Sequence, residues 1–442
     1  MPSQHAQPLD LFTVFSENLP HVWQRDCGSL RPSHVLYTIM TMAVTMTQSY
    51  RQTLDHLQRT VGERLGWIEA PCPSSLCESR RKLTPQQCKE AFTVIRSKAT
   101  VMTTIPKVRY KNYRLLAVDM TTLGLPPYKA VSDEFKSPKD SKKRSAKAPQ
   151  ATLTVLWDIG TNTPVDWRLE ACYSSERFAA YDMIEQLEKC DLILADRGYP
   201  SRKMFLDIDK RGAKYLIRMP LGKAGGFREV REFSLDSQKW DSEILLHDNR
   251  LRKGDPTIRV RLIKHRLPTG EIAVFAANLL SVTDHPAAAL CALYCHRWDL
   301  ETAFREMKVW HGLENFNARF ADGIHQEVSA LMIFMVLTAE LEHQSRIFHA
   351  VAMKEMPAGV VEEPVIRFNR RLIAECVGSL LIAAASGAKA VEVEYIRCMK
   401  TIWRFRQKKR PGRKFQRVAK SANSKWKRTT YNTKGKAKKL AE

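Results

Sequence analysis

The sequence predicts an α/β protein in which a mixed sheet with a β-rich insertion lies between helical N-terminal and C-terminal regions. Apolar runs typical of strands alternate with helical patterns between Tyr113 and Met219. Two of these runs end in an aspartate, Asp119 and Asp196. Because open α/β sheets place their sites at the carboxyl ends of strands, these two aspartates indicate where a functional site lies.

The first hundred residues predict helices. Residues 34–47 and 51–65 are apolar or amphipathic, and Ser74 or Ser75 is expected to cap a further helix with a basic face. Thr84, followed by proline, is expected to cap the next one. Short basic helices can read DNA, and a plain helical bundle is an equal alternative.

The central third of the chain predicts the sheet. The predicted strands cover residues 114–119, 151–158, 164–172, 191–196 and 214–219. A helix capped by Ser174 or Ser175 is expected to run to about Lys189, and another is expected from Ser201 onward. The stretch 220–286 is rich in strand and turn signals and predicts a small β insertion, with strands at 257–264 and 272–278.

The composition shifts along the chain predict six regions: a helical DNA-binding region, the first part of the core, the insertion, the second part of the core, a helical C-terminal region and a basic tail. They cover residues 1–108, 109–219, 220–286, 287–345, 346–403 and 404–442. A break is expected at Asp322-Gly323, before a helix to about His343. Its most apolar run, 328–341, is shorter than a membrane span and predicts a buried helix.

The charge is strongly positive. The 442 residues carry a net +24, which indicates a polyanionic partner, most commonly nucleic acid. Sixteen lysines and arginines and no acid lie between Arg404 and Lys439. This tail either contacts DNA phosphates or is a solvated arm, and the same two alternatives hold for the basic loop 136–147.

The cysteines predict no disulfide framework and no zinc site. The ten are scattered without a CxxC pair, and no second ligand pair lies near Cys291, Cys295 and His296. Without a recognisable signal peptide, reduced thiols in a cytosolic protein are expected.

The segment 294–308 has neither proline nor glycine and predicts one helix. At about 100° per residue, Tyr294, Arg297, Glu301 and Lys308 fall within an arc of roughly 60°, beside an apolar stripe. Such a row suits a phosphate backbone near a metal ion. Taken alone, it is equally typical of a solvated helix face.

A magnesium site could be formed by three acids together, Asp119, Asp196 and Glu301. Magnesium binds carboxylate oxygens, and two ions about 3.5–4 Å apart can activate a nucleophile and stabilise the leaving oxygen of a phosphoryl transfer. Without metal the carboxylates would repel one another and raise at least one pKa. Taken singly, an aspartate after a strand is more often a turn or capping residue.

At these residues the sequence resembles the DDE transposases of bacterial insertion sequences, in the family-four branch marked by Y-x(2)-R-x(3)-E-x(6)-K. Residues 294–308 match the signature at every spacing, 115–122 resemble the first-aspartate strand, and 194–199 the second-aspartate motif. The separations, 77 residues from Asp119 to Asp196 and 105 from Asp196 to Glu301, also fit, because the second gap holds an insertion.

The resemblance implies an RNase H-like fold in which Asp119, Asp196 and Glu301 hold two Mg²⁺ ions, with Mn²⁺ as a possible substitute. It implies cleavage at terminal inverted repeats and joining of the freed 3′-ends to target DNA, in a homodimeric synaptic complex in the bacterial cytoplasm, at the nucleoid, with no membrane partner. The implied phosphate-binding residues are Tyr294, Arg297, Lys308 and Arg197.

Trp298 is a candidate for stacking on a flipped base, because members of the resembled family can pass through a DNA hairpin. A packing tryptophan is an equal alternative. Two other functions remain open for the whole chain: a catalytically inactive DNA-binding protein derived from a transposase, and a metal-dependent nuclease without joining activity.

Overall fold

The computed structural model describes residues 11–20, 30–45, 49–99, 102, 109–139, 148–222, 227–246, 257–354, 366–385 and 388–408. Most of the predicted basic loop and most of the basic tail lie outside these residues. By its contacts the chain forms two compact units. We call Pro106–Leu123 with Ala151–Phe304 the sheet unit, and Met1–Ile105, Gly124–Gln150 and Arg305–Glu442 the helical unit. The six predicted regions stay a prediction.

Fourteen α-helices occur in the described part of the chain. They are α1 (Leu11–Asn18), α2 (Pro32–Thr45), α3 (Tyr50–Leu65), α4 (Pro73–Lys82), α5 (Pro85–Lys98), α6 (Lys129–Phe135), α7 (Glu176–Ile184), α8 (Arg202–Arg211), α9 (Arg228–Leu235), α10 (Ala287–Tyr294), α11 (Trp298–Val309), α12 (Ala321–Lys354), α13 (Arg370–Ala385) and α14 (Ala388–Arg404). The strands are β1 (Arg109–Tyr110), β2 (Tyr113–Gly124), β3 (Gln150–Asp158), β4 (Thr163–Ala171), β5 (Asp191–Ala195), β6 (Lys214–Arg218), β7 (Asp241–Leu246), β8 (Ile258–Arg266), β9 (Ile272–Ala277), β10 (Ile366–Arg367) and β11 (Gln407–Lys408).

One mixed sheet organises the sheet unit. Its strand order is β4-β3-β2-β5-β6-β9-β8-β7, and β1 pairs with β2. The central strands β2, β5 and β6 run parallel, whereas β4 is antiparallel to β3 and β9 is antiparallel to β6. The predicted α/β class is therefore confirmed, and the order of the first five strands is that expected of an RNase H-like core.

The apolar composition of the central strands explains their position. All five residues of β5 are buried, as expected for a parallel strand covered on both faces. A bidentate ion pair joins Arg114 at the start of β2 to Asp191 at the start of β5, at 2.7 and 2.8 Å. Because Asp191 is fully buried, this pair fixes the register of the two strands that carry the predicted aspartates.

The predicted insertion extends the same sheet through β9, β8 and β7. Helix α9 and strand β7 were not predicted, because their polar sequences lack a clear apolar run. In β7 only Leu246 is buried, as expected of a strand at the edge of a sheet. The helix predicted for 175–189 ends early, at Ile184.

The long helix α12 organises the helical unit. It contains 34 residues and packs against α2, α5 and α13. Its segment Ala321–His349 is long and apolar enough to cross a membrane, but 89% of its most apolar window is buried inside the protein. The predicted buried helix is confirmed, although it is longer at both ends than expected.

A break does precede this helix, since α11 ends at Val309 and α12 begins at Ala321, but Gly323 lies inside the helix, so the predicted position of the break was wrong. The glycine is needed for space, since a Cβ at this position would lie 2.6 Å from the Cβ of Ala318 and 2.9 Å from the ring of Phe320. A glycine in a helix thus reflects close packing here, not the end of the element.

A buried arginine joins the N-terminal helices to α12. Arg80 of α4 is fully buried, and its guanidinium donates to Gln326 Oε1 at 3.0 Å, to the Gly323 carbonyl at 3.0 Å and to the Tyr50 hydroxyl at 2.5 Å. Glu327 supplies the opposite charge at 3.0 Å. Arg80 therefore has a structural role, and only Arg81 and Lys82 of the predicted basic face are exposed.

The predicted starts of α4 and α5 differ in accuracy. Thr84 forms the expected capping box at the start of α5. Helix α4 begins at Pro73, with Cys72 at the capping position instead of a serine, because proline is well tolerated in the first helical turn.

Candidate active site at the carboxyl edge of the parallel strands

The two predicted aspartates lie at the same edge of the sheet. Parallel pairing of β2 with β5 ends at Val118 and Ala195, so Asp119 and Asp196 each follow the last paired residue. Asp196 comes directly after β5, as predicted. Asp119, however, does not end its strand. Strand β2 continues to Gly124 and also has β3 as a neighbour, so only the parallel pairing stops before Asp119.

The segment 294–308 is helical but is not one regular helix, which corrects the prediction. Helix α10 ends at Tyr294, a 3₁₀ turn covers Cys295–Arg297, and α11 starts at Trp298. The Cys295 N–H donates to both the Ala292 and Leu293 carbonyls, which tightens the backbone here. The prediction that the four signature residues fall within one arc of about 60° assumed a regular α-helix. Because a 3₁₀ turn has about three residues per turn, that arrangement does not hold across Cys295–Arg297.

Arg297 joins two of the three acids. Its guanidinium donates to Asp119 Oδ2 at 2.9 Å and to Glu301 Oε1 at 2.6 Å. The arginine side chain is only 7% exposed, so these charge-assisted hydrogen bonds are well shielded from water. Its Nε–H is buried without a hydrogen-bond partner among the described residues. The arginine thus fixes the helical acid relative to the strand acid.

Burial and neighbouring charge raise the pKa of Asp119 from 3.8 to about 6. Burial is the largest cause, and the Glu301 and Asp196 carboxylates raise the pKa further. The Met120 N–H, which donates to Asp119 Oδ1 at 2.9 Å, and Arg297 oppose this shift. The predicted mutual repulsion of the acids is confirmed in direction, although burial contributes more than repulsion does.

Asp196 lies within electrostatic reach of Asp119 and of Tyr294. Its Oδ1 accepts a hydrogen bond from the Arg197 N–H at 2.5 Å, just as Asp119 accepts from the N–H of the next residue. In both cases the backbone N–H of the next residue orients the carboxylate. The Arg197 side chain itself is exposed.

Tyr294 holds the helical segment against the end of β5. Its hydroxyl donates to the Ala195 carbonyl at 3.2 Å, directly before Asp196. Its ring packs on Phe275 of β9, with the ring centroids 4.6 Å apart. Burial raises the pKa of Tyr294, so its hydroxyl remains protonated and can act as a hydrogen-bond donor.

Trp298 and Lys308 occupy different places on α11. Trp298 is 57% exposed, so it is not a core tryptophan. The Arg297 guanidinium lies 5.4 Å from the Trp298 ring centroid and 5.8 Å from that of Tyr294. Lys308 lies in the last turn of α11, in the part of the helix that belongs to the helical unit.

The side chains at this edge suit a hard cation. The three carboxylates, one on a strand, one directly after a strand and one on a helix, offer only oxygen ligands, which Mg²⁺ prefers. In the described part of the chain, however, no three Asp, Glu, His or Cys side chains are gathered closely enough to hold a metal ion as they stand. Arg297 supplies the positive charge between Asp119 and Glu301 in this arrangement.

A further charged residue, Arg218, lies at this edge and was not among the predicted site residues. It is the last residue of β6, and the parallel pairing of β5 with β6 ends at Ala195 and Ile217. Arg218 is therefore next to Asp196, just as Asp196 is next to Asp119. The rule that identified the aspartates, a charged residue at the end of a strand, would also have found Arg218.

The fold and these side chains define a class of protein: an α/β protein whose sheet presents acids at its carboxyl edge beside an arginine-bearing helix. The Transposase DDE domain family matches residues 110–337, just over half of the chain, and includes Asp119, Asp196 and Glu301. The chain belongs to this family, and the resemblance to insertion-sequence DDE transposases is confirmed.

Two individual proteins are similar to this chain. It is 22% identical over 279 residues to the Transposase InsG for insertion sequence element IS4 of Escherichia coli (strain K12), which covers 62% of this chain and 61% of that protein. The chain thus spans about three fifths of that relative. It also resembles the piggyBac transposase in a synaptic complex with hairpin DNA, with a TM-score of 0.43 and 10% identity over 89% of this chain and 80% of that one.

Proposed function

We propose that this protein is a DNA transposase that cleaves DNA at terminal inverted repeats and joins the freed 3′-ends to target DNA. The observation that carries this proposal is the Arg297 guanidinium, which hydrogen-bonds Asp119 at 2.9 Å and Glu301 at 2.6 Å at the edge where Asp196 also lies. Membership of the DDE transposase family supports it.

We infer that Asp119, Asp196 and Glu301 hold two Mg²⁺ ions, with Mn²⁺ as a substitute. Bound divalent ions supply activation of the attacking oxygen and stabilisation of the leaving oxygen. The chain's own contribution is to fix the carboxylates: Asp119 and Asp196 by the N–H of the residue that follows each, and Glu301 through Arg297. The raised pKa of Asp119 indicates that this site favours neutralisation of its charge.

The proposed phosphate-binding residues are Tyr294, Arg297, Lys308 and Arg197. Tyr294 and Arg297 also position the helix, through Ala195 and the two carboxylates. Contact with a phosphate is therefore a second role for both. Trp298 is exposed beside Arg297, which supports its proposed role as a platform for a base.

The proposed partners are transposon-end DNA and target DNA, bound by a homodimer in the bacterial cytoplasm. The net charge of +24 supports a polyanionic partner. The dimer and the location follow only from the resemblance to insertion-sequence transposases.

The test uses the purified chain, Mg²⁺ and duplex DNA that carries the inverted repeats flanking the coding sequence. A transposase cleaves this DNA at the repeat boundary and joins a pre-cut end to a plasmid. Cleavage without joining would instead identify a nuclease. Binding without either reaction would identify an inactive DNA-binding protein.

A further inference from the structure

Two arginines lie close to the acids, but they differ in what they contact. Arg297 donates hydrogen bonds to two carboxylates. The Arg218 side chain, which is only partly buried, forms no hydrogen bond or ion pair with a protein group in the part of the chain that the structure describes. A guanidinium that already binds two carboxylates has less positive charge to offer an anion than one that binds none.

Strand register places Arg218 on the same face of the sheet as Tyr294. Arg218 pairs with Phe275 of the antiparallel neighbour β9, and directly paired residues project from the same face. Because the Tyr294 ring packs on Phe275, its phenol also lies on that face. The positive charge of Arg218 favours the ionised form of Tyr294, which indicates that the two groups are close.

We propose that Arg218 binds a backbone phosphate of the DNA end at the cleavage site, on the face of the sheet where Tyr294 also lies. This inference rests on the proposed transposase function. The planar guanidinium of Arg218 can donate two parallel hydrogen bonds to the non-bridging oxygens of one phosphate. Its place beside Asp196 puts this phosphate next to the acids, while Arg297 remains bonded to Asp119 and Glu301.

The first test compares Arg218→Ala with Arg211→Ala. Arg211, an exposed residue at the end of α8, precedes the opposite end of β6 and gives the same change in charge. We expect Arg218→Ala to lower the single-turnover rate of cleavage by about 10- to 100-fold, the usual effect of losing one charged hydrogen bond. Arg211→Ala should cleave at nearly the wild-type rate, and the melting temperatures should be equal.

The second test identifies the phosphate. Inverted-repeat duplexes are made with one neutral methylphosphonate at successive positions around the cleavage site. In the wild-type protein and Arg211→Ala, neutralising the contacted phosphate slows cleavage. In Arg218→Ala the same substitution has little further effect, because the interaction is already absent.

Two outcomes would overturn the inference: Arg218→Ala cleaving at the wild-type rate, or every methylphosphonate slowing this variant as much as it slows the wild-type protein. A stable Arg218→Lys variant with partial activity would support it, since lysine retains the charge but not the bidentate geometry. If the wild-type protein fails to cleave any inverted-repeat DNA, the proposed transposase function itself is wrong.

Discussion

Asp119→Asn should stabilise the protein in the absence of metal, although it removes a proposed catalytic group. The pKa of Asp119 is about 6 in the folded protein against an ordinary value of 3.8. The folded state therefore binds the proton more tightly than the unfolded state does. The contribution of Asp119 to the unfolding free energy is therefore greatest below pH 4 and is lost as the pH rises from about 4 to about 6.

The expected gain in stability of Asp119→Asn follows from the pKa shift of Asp119. A difference of about two pKa units corresponds to ~3 kcal/mol of unfolding free energy above pH 6. The side chain is 18% exposed, so solvent screening reduces this value only in part. Asparagine also gives up one negative partner of Arg297, which retains Glu301. We therefore expect a net gain of about 1–3 kcal/mol at pH 7.5.

The assay is denaturant unfolding with EDTA at several pH values between 4 and 8. The matched control is Asp207→Asn, which removes an aspartate from an exposed pair with Lys203 in the same unit and should change stability by less than about 1 kcal/mol at every pH. The reasoning is refuted if Asp119→Asn is less stable than the wild-type protein at pH 7.5, or if their difference does not shrink towards pH 4.

Three further changes have definite expected results. Gly323→Ala should lower the unfolding free energy by about 1–2 kcal/mol, because overpacking against Ala318 exceeds the gain in helix propensity of up to about 1 kcal/mol. In the control Gly222→Ala the new Cβ meets no atom within 4 Å, so the unfolding free energy should not fall. Equal unfolding free energies for the two variants would contradict this. Truncation after Lys408, which preserves the β10–β11 pair, should reduce the slope of log affinity for DNA against log salt concentration. An unchanged slope would show that the tail is a solvated arm that does not contact DNA phosphates. Trp298→Ala should leave stability within about 0.5 kcal/mol, because the side chain is 57% exposed, and should lower the yield of hairpin-ended DNA if the tryptophan stacks on a flipped base; the same yield as the wild-type protein would exclude that role.

The sequence located the strands and acids because they follow local rules. A buried parallel strand is a short apolar run, so the position of β5 and of Asp196 after it could be recognised. Helical spacing likewise found Arg297 and Glu301, which are four residues apart and hydrogen-bonded. These features depend on neighbouring residues and leave a local pattern.

The remaining features depend on distant residues. The ion pair of Arg297 with Asp119 joins residues 178 positions apart, and Arg80 contacts Gln326 over 246 positions. The 3₁₀ turn at Cys295–Arg297 contains no proline or glycine that would indicate a change in the helix. Gly323 resembled a helix break because its packing partners were unknown. No local pattern could predict these features, because their causes lie in tertiary contacts.

Arg218 is an intermediate case. Its place at the end of β6 could be seen in the sequence, but its neighbours could not. Only the pairing of β6 with both β5 and β9 shows that Arg218 shares an edge with Asp196 and a face with Tyr294.

The most direct test of the central claim measures Mg²⁺-dependent cleavage of inverted-repeat DNA by Glu301→Ala and Asp299→Ala. Both variants lose one acid from the first turn of α11, but Asp299 is about half exposed and contacts His296 rather than Arg297. We expect Glu301→Ala to bind the DNA without cleaving it and Asp299→Ala to cleave normally. Cleavage by Glu301→Ala at the wild-type rate would contradict the assignment of the metal-binding acids.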